Sequence, residues 1–477
     1  MNILKKILPS VLLFIHFTSA EECKNEDVKF KRQVHLDTGL IPGNMSTRAV
    51  MSFTHDVHRM TGAIFDFGDK WLEPNKWWTR AAYQYVVYPM FIGRFTNAFY
   101  QAMNNYGRAS RYEAFGLDVN YVDKTYSTKA NGYWKNLDVH LFKSLKPVSP
   151  NHYMEVLPSD EKFTHTDSLA KNGDVALFEQ NQNELKDLYK KKESQESVDL
   201  SRTYLDNDVA AKLKNIRDQL STRLQILTRA GEYNMKMAYS KLIEDELWYD
   251  DGGHLTQTSH YAAGKLSLLI DGFKTLFFNK HSAARHTDMA AVSDLYDQKG
   301  IELSCKTMMA HSAVAYCLSS QFWYGFTKSG YLSSGSKFIH TPSYHGFRLP
   351  NVGYYLTSDG PSYQLTTGYK WGEDLWFPLG AEYVFQGNNK SFELKIGARK
   401  KFASMKNLFL HAEVIKNFSK GGWGAIAYVG IQPTSLLSLE IGLQRDDLNT
   451  LEGERNIISL KDGNSYTTLW GKIGLNI

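Results

Sequence analysis

The residues best placed to do chemistry are histidines. In Thr54-His55-Asp56-Val57-His58-Arg59, His55 and His58 stand three apart. On a helix that spacing puts both imidazoles on one face, where they could grip a divalent metal with Asp66 or Asp69 nearby in sequence. The same residues also suit a polar helix start capped by Ser52 or Thr54. His281, His286 and Asp288 form a second candidate metal group around Arg285. His254 and His260 lie at the other end of the same apolar segment, so a joint site would require tertiary folding. An alternative use is interfacial, with Lys280, His281 and Arg285 meeting anionic headgroups. Ser333, Ser334 and Ser336 precede His340 and His345, a pairing in which a base could activate a serine, though the stretch also reads as a Gly/Ser linker. No H-E-x-x-H, G-x-S-x-G or Walker loop occurs. No catalytic residue is assigned on this basis, and the balance leans away from an enzyme.

The three cysteines, Cys23, Cys305 and Cys317, are too few for a disulfide-built scaffold and have no C-x-x-C spacing. Cys305 and Cys317 fall on one predicted helix, about 18 Å apart and beyond disulfide reach. The net charge of +5 is mild and dispersed and gives no nucleic-acid footprint.

The elements around these residues fall into two kinds. From about Asn351 to Ile477 the chain alternates apolar and polar residues through some eight short runs. Phe392, Leu394, Ile396 and Ala398 share one face of a run, and Glu393, Lys395, Gly397 and Arg399 share the other. Further runs cover 351–358, 362–371, 374–385, 408–415, 423–432, 437–444 and 469–477, with turn residues such as Ser358-Asp359-Gly360 between them. Glu382, Glu393, Lys395, Arg399, Glu413, Glu440 and Lys472 all belong to the polar face. Facing lipid, basic groups would cost roughly 2–4 kcal/mol each near the midplane, whereas facing inward opposite charges can pair. Trp371, Trp376, Phe385, Trp423, Tyr466 and Trp470 stand at run ends, where interfacial aromatics belong.

This C-terminal quarter resembles small bacterial outer-membrane β-barrel proteins, in architecture and not through a motif. The resemblance implies a barrel of about eight antiparallel strands with lipid outside and a filled, ion-paired interior too narrow for a solute channel. Tyr112–Tyr121 and Tyr133–Leu141 also alternate, and by joining the barrel they would make ten strands.

The rest of the chain agrees with export. Lys5 and Lys6, an apolar stretch to Phe17 and Thr18-Ser19-Ala20 read as a cleavable signal peptide over residues 1–20. Residues 21–330 read as a mainly helical domain with a polar, lysine-rich loop near 155–200, and 331–350 as a linker. Val209 to Leu227 forms a helix with Gly231 as its stop, followed by a helix over Tyr233–Trp248. Tyr261–Phe278 and Ile301–Phe326 are the most membrane-like helical segments, yet carry enough charge to avoid lodging in the first membrane crossed.

The expected fold class is therefore α+β, with a helical region ahead of an antiparallel barrel. The expected role is an outer-membrane protein whose barrel contacts lipid and anchors a periplasmic helical domain that binds lipid or a protein partner. The alternatives are a membrane-associated hydrolase, metal- or Ser/His-dependent, and a soluble exported binding protein.

Overall fold

Period-two alternation in the C-terminal region becomes one continuous antiparallel sheet. The computed structural model describes residues 222–270, 288–328 and 338–455 with few gaps, 465–476, the segments 33–37, 77–83, 117–122, 127–129 and 153–158, and isolated positions among 51–87 and at 180, 184 and 272. Ahead of the sheet lie β1 (Gln33–Asp37), α1 (Trp77–Ala82), β2 (Leu117–Val122), β3 (Ser127–Lys129), β4 (Tyr153–Pro158), α2 (Thr222–Tyr249), β5 (Gly253–His254), α3 (Gln257–Lys265), α4 (Asp288–Gln298), α5 (Cys305–Cys317), α6 (Ser320–Lys328) and β6 (Phe338–Ile339). Then follow β7 (Ser343–Tyr344), β8 (Phe347–Thr357), β9 (Gly360–Trp371), β10 (Leu375–Val384), β11 (Phe392–Phe402), β12 (Leu408–Asn417), β13 (Trp423–Ile431), β14 (Leu437–Asp447), α7 (Leu451–Arg455) and β15 (Ser465–Asn476).

Strands β8 to β15 pair each with the next, and β1 and β7 extend the sheet to ten strands in the order β1-β15-β14-β13-β12-β11-β10-β9-β8-β7. The fold is α+β as expected, but the sheet is not closed into a barrel: β1 and β7 are its two edges. The two added strands are also not those anticipated. Leu117–Val122 pairs with β3 and β4 in a separate three-stranded sheet, and Tyr133–Leu141 lies outside the described residues.

The sheet is nevertheless strongly curled. In the strand order β8 and β14 stand six intervals apart, which on a flat sheet is ~29 Å. The single turn and a bit of α7 nevertheless touches both of them, and α2 as well.

Helix α2 occupies the inside of the curl. Its Tyr249 ring meets Trp376 of β10 and His411 of β12, and Arg399 of β11 lies over the same ring. Trp248 rests where a side chain on Gly368 would otherwise be: a Cβ there would come within 2.3 Å of the indole. Gly231 does not end a helix, because α2 runs through it without a break. Its packing outweighs the ~1 kcal/mol intrinsic cost of a helical glycine.

Beyond its short pairing with β7 at Phe347 and Arg348, the edge of β8 is covered by helices. Asn234 of α2 donates to the Leu356 carbonyl at 2.8 Å and accepts from the Leu356 N–H at 3.0 Å. Ser319 Oγ lies 3.0 Å from both the N and the O of Val352. Lys265 and Tyr296 donate to the carbonyls of Val352 and Thr357 at 2.8 and 2.7 Å. Side chains thus do for β8 what a neighbouring strand would do, and such edge covering is a known way to end a sheet.

Those same contacts split the segment Ile301–Phe326. Ser304 caps α5, and the chain breaks at Leu318-Ser319, where Ser319 and Ser320 turn to bond β8 and begin α6. One apolar core joins the two regions: Ile226 and Met237 of α2, Val292 and Tyr296 of α4, Met308 of α5 and Tyr354 to Leu356 of β8. No helix among the described residues is long and apolar enough to cross a membrane, which says nothing about strands.

Candidate functional site

Strand pleating sends alternate residues to opposite faces, and here the inner face is the polar one. Glu393 is 3% exposed, while its neighbour Ile396 on the outer face is 59% exposed. Glu382, His411 and Glu413 are buried with Glu393. Lys395 is mostly buried, and Arg399 and Glu440 are half-buried. Lys472 pairs through its backbone with Glu440 and Asp37, and its side chain is outside the described set.

The interior charges form three connected groups. In the first, Arg455 of α7 holds Glu382 by two parallel bonds of 2.5 and 2.7 Å. Ser362 and Gln364 of β9 donate to the same carboxylate at 2.6 and 3.1 Å. Arg455 also bonds Glu452 at 2.8 Å, and its guanidinium lies 4.1 Å from the Tyr355 ring centre. Glu393 accepts the Leu451 N–H at 2.7 Å, which fixes the start of α7. In the second group, Glu454 accepts from the Ser358 hydroxyl at 2.5 Å and from its N–H at 3.2 Å, and pairs with Arg223 of α2 at 2.8 Å. Lys420 bridges this glutamate to Asp359.

The third group lies at the other end of α2. Lys265 pairs with Glu244 at 2.9 Å, and Arg348 with Asp245 at 2.6 Å. Nearby, Lys395 pairs with Glu413 at 2.5 Å and His411 with Glu413 at 3.0 Å. Opposite charges fixed against one another can tolerate burial that isolated ions cannot. With α2 and α7 in place, the curl is a filled interior.

The outer face is aliphatic and exposed at mid-strand. Leu379, Ile396, Leu410, Val414, Ile441 and Leu443 all point away from the protein. Exposed aromatics flank this band at both strand ends: Phe347 and Trp371 at one, Tyr383, Phe392, Phe418 and Trp423 at the other. Of the run-end aromatics singled out from sequence, Trp371 and Trp423 face outward. Trp376 is turned inward and buried, and Phe385 packs against His311 and Tyr363. The side chains of Tyr466 and Trp470 are outside the described set.

The histidine candidates separate. His55 is buried, with Nε2 2.6 Å from a Glu246 carboxylate oxygen and 3.0 Å from Gln257 Nε2. His260 lies close enough for the His55 charge to act on it. Burial chiefly, with that charge second, pushes His260 down to about 3. This set is a polar contact between α2, α3 and the segment carrying His55. His58, His281 and His286 lie outside the described residues, and Asp288 opens α4. Ser333, Ser334 and Ser336 are also outside them. Among the described residues, no group of three or more His, Cys, Asp or Glu is arranged to hold a metal ion. Cys305 and Cys317 begin and end α5 without a disulfide, and burial raises both thiols, opposite to what an activated nucleophile needs.

The sequence reading missed the partners supplied from outside the strands. Arg455, Glu452 and Glu454 sit in the β14–β15 connection, and Arg223, Glu244 and Asp245 on α2. The available signal was the charged run Leu451-Glu452-Gly453-Glu454-Arg455 in an otherwise hairpin-rich region. Comparison with family models, curated proteins and solved structures finds no match to the chain.

Proposed function

We propose that this chain is an exported membrane protein of the outer-membrane β-barrel type. Its curled sheet faces lipid on the outside, and its strands anchor helices that bind lipid or a protein partner. The observation that carries this reading is the inversion of the sheet: charges buried and ion-paired inside, aliphatics exposed outside, aromatics at both rims. Strands of 9 to 12 residues match the length that crosses a bilayer at a tilt. A soluble protein rarely leaves so wide an apolar face in water. Helices α2 and α7 occupy the interior, so the sheet serves as an anchor and not as a channel for solutes.

The reading is tested by fractionation and flotation. Full-length protein should stay with membranes after alkaline extraction, require detergent for solubility, and float with phosphatidylcholine vesicles. Monodisperse protein recovered without detergent would overturn it.

A further inference from the structure

The outer face of β11–β15 carries a depression of about 550 Å³. Its floor is a row of small side chains in direct cross-strand register, Ala398 opposite Ala412 and Ala412 opposite Ala427. Leu410, Ile441 and Leu443 wall it. Lys400 also lines it, opposite Leu410 on the neighbouring strand. The Lys400 ammonium lies 6.0 Å from the Phe402 ring centre, at the same strand end as exposed Trp371. Among the described residues no carboxylate pairs with it, in contrast to Lys265, Lys395 and Lys420.

We infer that this trough seats an acyl chain of an anionic membrane lipid, with the lipid phosphate against Lys400. The inference rests on the membrane reading above and adds a lipid class and a place to it. The lining argues for a tail, since the outward-facing side chains around the alanine row are aliphatic apart from Lys400. The charge argues for the head: the one cation of the trough stands at its rim, at the level where aromatics and headgroups meet. A protein partner covering the same wall would have to bring its own acceptor to the Lys400 ammonium, whereas a lipid phosphate at the rim supplies one.

The test uses full-length protein in detergent, offered equal amounts of phosphatidylglycerol and phosphatidylcholine, with retained lipid read by native mass spectrometry. Wild type should retain phosphatidylglycerol about 5-fold over phosphatidylcholine, the preference one surface lysine can supply. Lys400→Gln should bring that ratio close to one. Ala412→Phe, which fills the floor, should lower retention of both lipids. Equal retention by wild type, or an unchanged preference in Lys400→Gln, overturns the inference. So does a dimer that Ala412→Phe dissociates, because the occupant is then a second copy. Flotation of the same samples with phosphatidylcholine vesicles separates the two levels. Protein that floats but shows no preference defeats only the lipid site, and protein that does not float defeats the membrane reading too.

Discussion

Glu382 is the residue on which the interior turns. Its carboxylate takes two bonds from Arg455 and one each from Ser362 and Gln364, all away from water. Removing only the cation leaves a buried carboxylate with no counter-charge. Arg455→Met should therefore destabilise the fold by about 3–5 kcal/mol. Replacing both partners, as Glu382→Leu with Arg455→Met, should cost less than either single change, because a buried pair contributes little beyond an apolar pair of similar size. Denaturant unfolding in detergent, read on all three variants, decides this; additive losses in the double variant would contradict it. Glu382 was legible in the sequence as a polar-face residue of an alternating run. Arg455 was not, because nothing in strand periodicity says which loop folds back inside.

At the scale of elements, the stretch of β8 beyond its short pairing with β7 is the place where helix and sheet become one body. Asn234 alone satisfies both backbone groups of Leu356. Asn234→Ala would leave a buried N–H and C=O without partners, each worth about 1–3 kcal/mol. The expected result is a loss of stability and faster hydrogen exchange at the Leu356 amide, with exchange in β13 little changed. The contact joining α2 to α3 should also titrate. His260 is held neutral, because burial first and the neighbouring His55 charge second push it from the ordinary imidazole value of 6.5 down to about 3. Between those values the unfolded chain binds the extra proton, so stability falls as pH drops through that window and is retained above it. Thermal melts of His260→Gln should show a shallower loss between pH 6.5 and 3 than wild type; an equal slope would remove His260 from the account. Helix propensity located part of α2 but placed a stop at Gly231. The helix continues because its surroundings, absent from any local window, reward continuation.

For the whole molecule, the decisive property is which face of the sheet meets the surroundings. Ile441 is 49% exposed at mid-strand on the outer face. In water, an arginine there would change stability by no more than about 0.5 kcal/mol. Against hydrocarbon it should cost roughly 2–4 kcal/mol. Ile441→Arg measured by unfolding from lipid vesicles, beside a rim substitution such as Trp423→Arg with a smaller penalty, distinguishes the two environments. A near-zero cost at Ile441 would speak for a sheet in water.

The sequence by itself determined the eight long strands, their boundaries to within a few residues, and the assignment of charges to one face. Those features follow from a period of two, which is local and survives any change of partner. It also determined that opposite charges share the polar face. Only the tertiary structure decided what that face encloses and how the sheet ends. The filling of the curl by α2 and α7, and the capping of β8 by Asn234 and Ser319 in place of a closing strand, join residues up to 231 positions apart. Such contacts depend on where loops return, and no pattern within a strand encodes that.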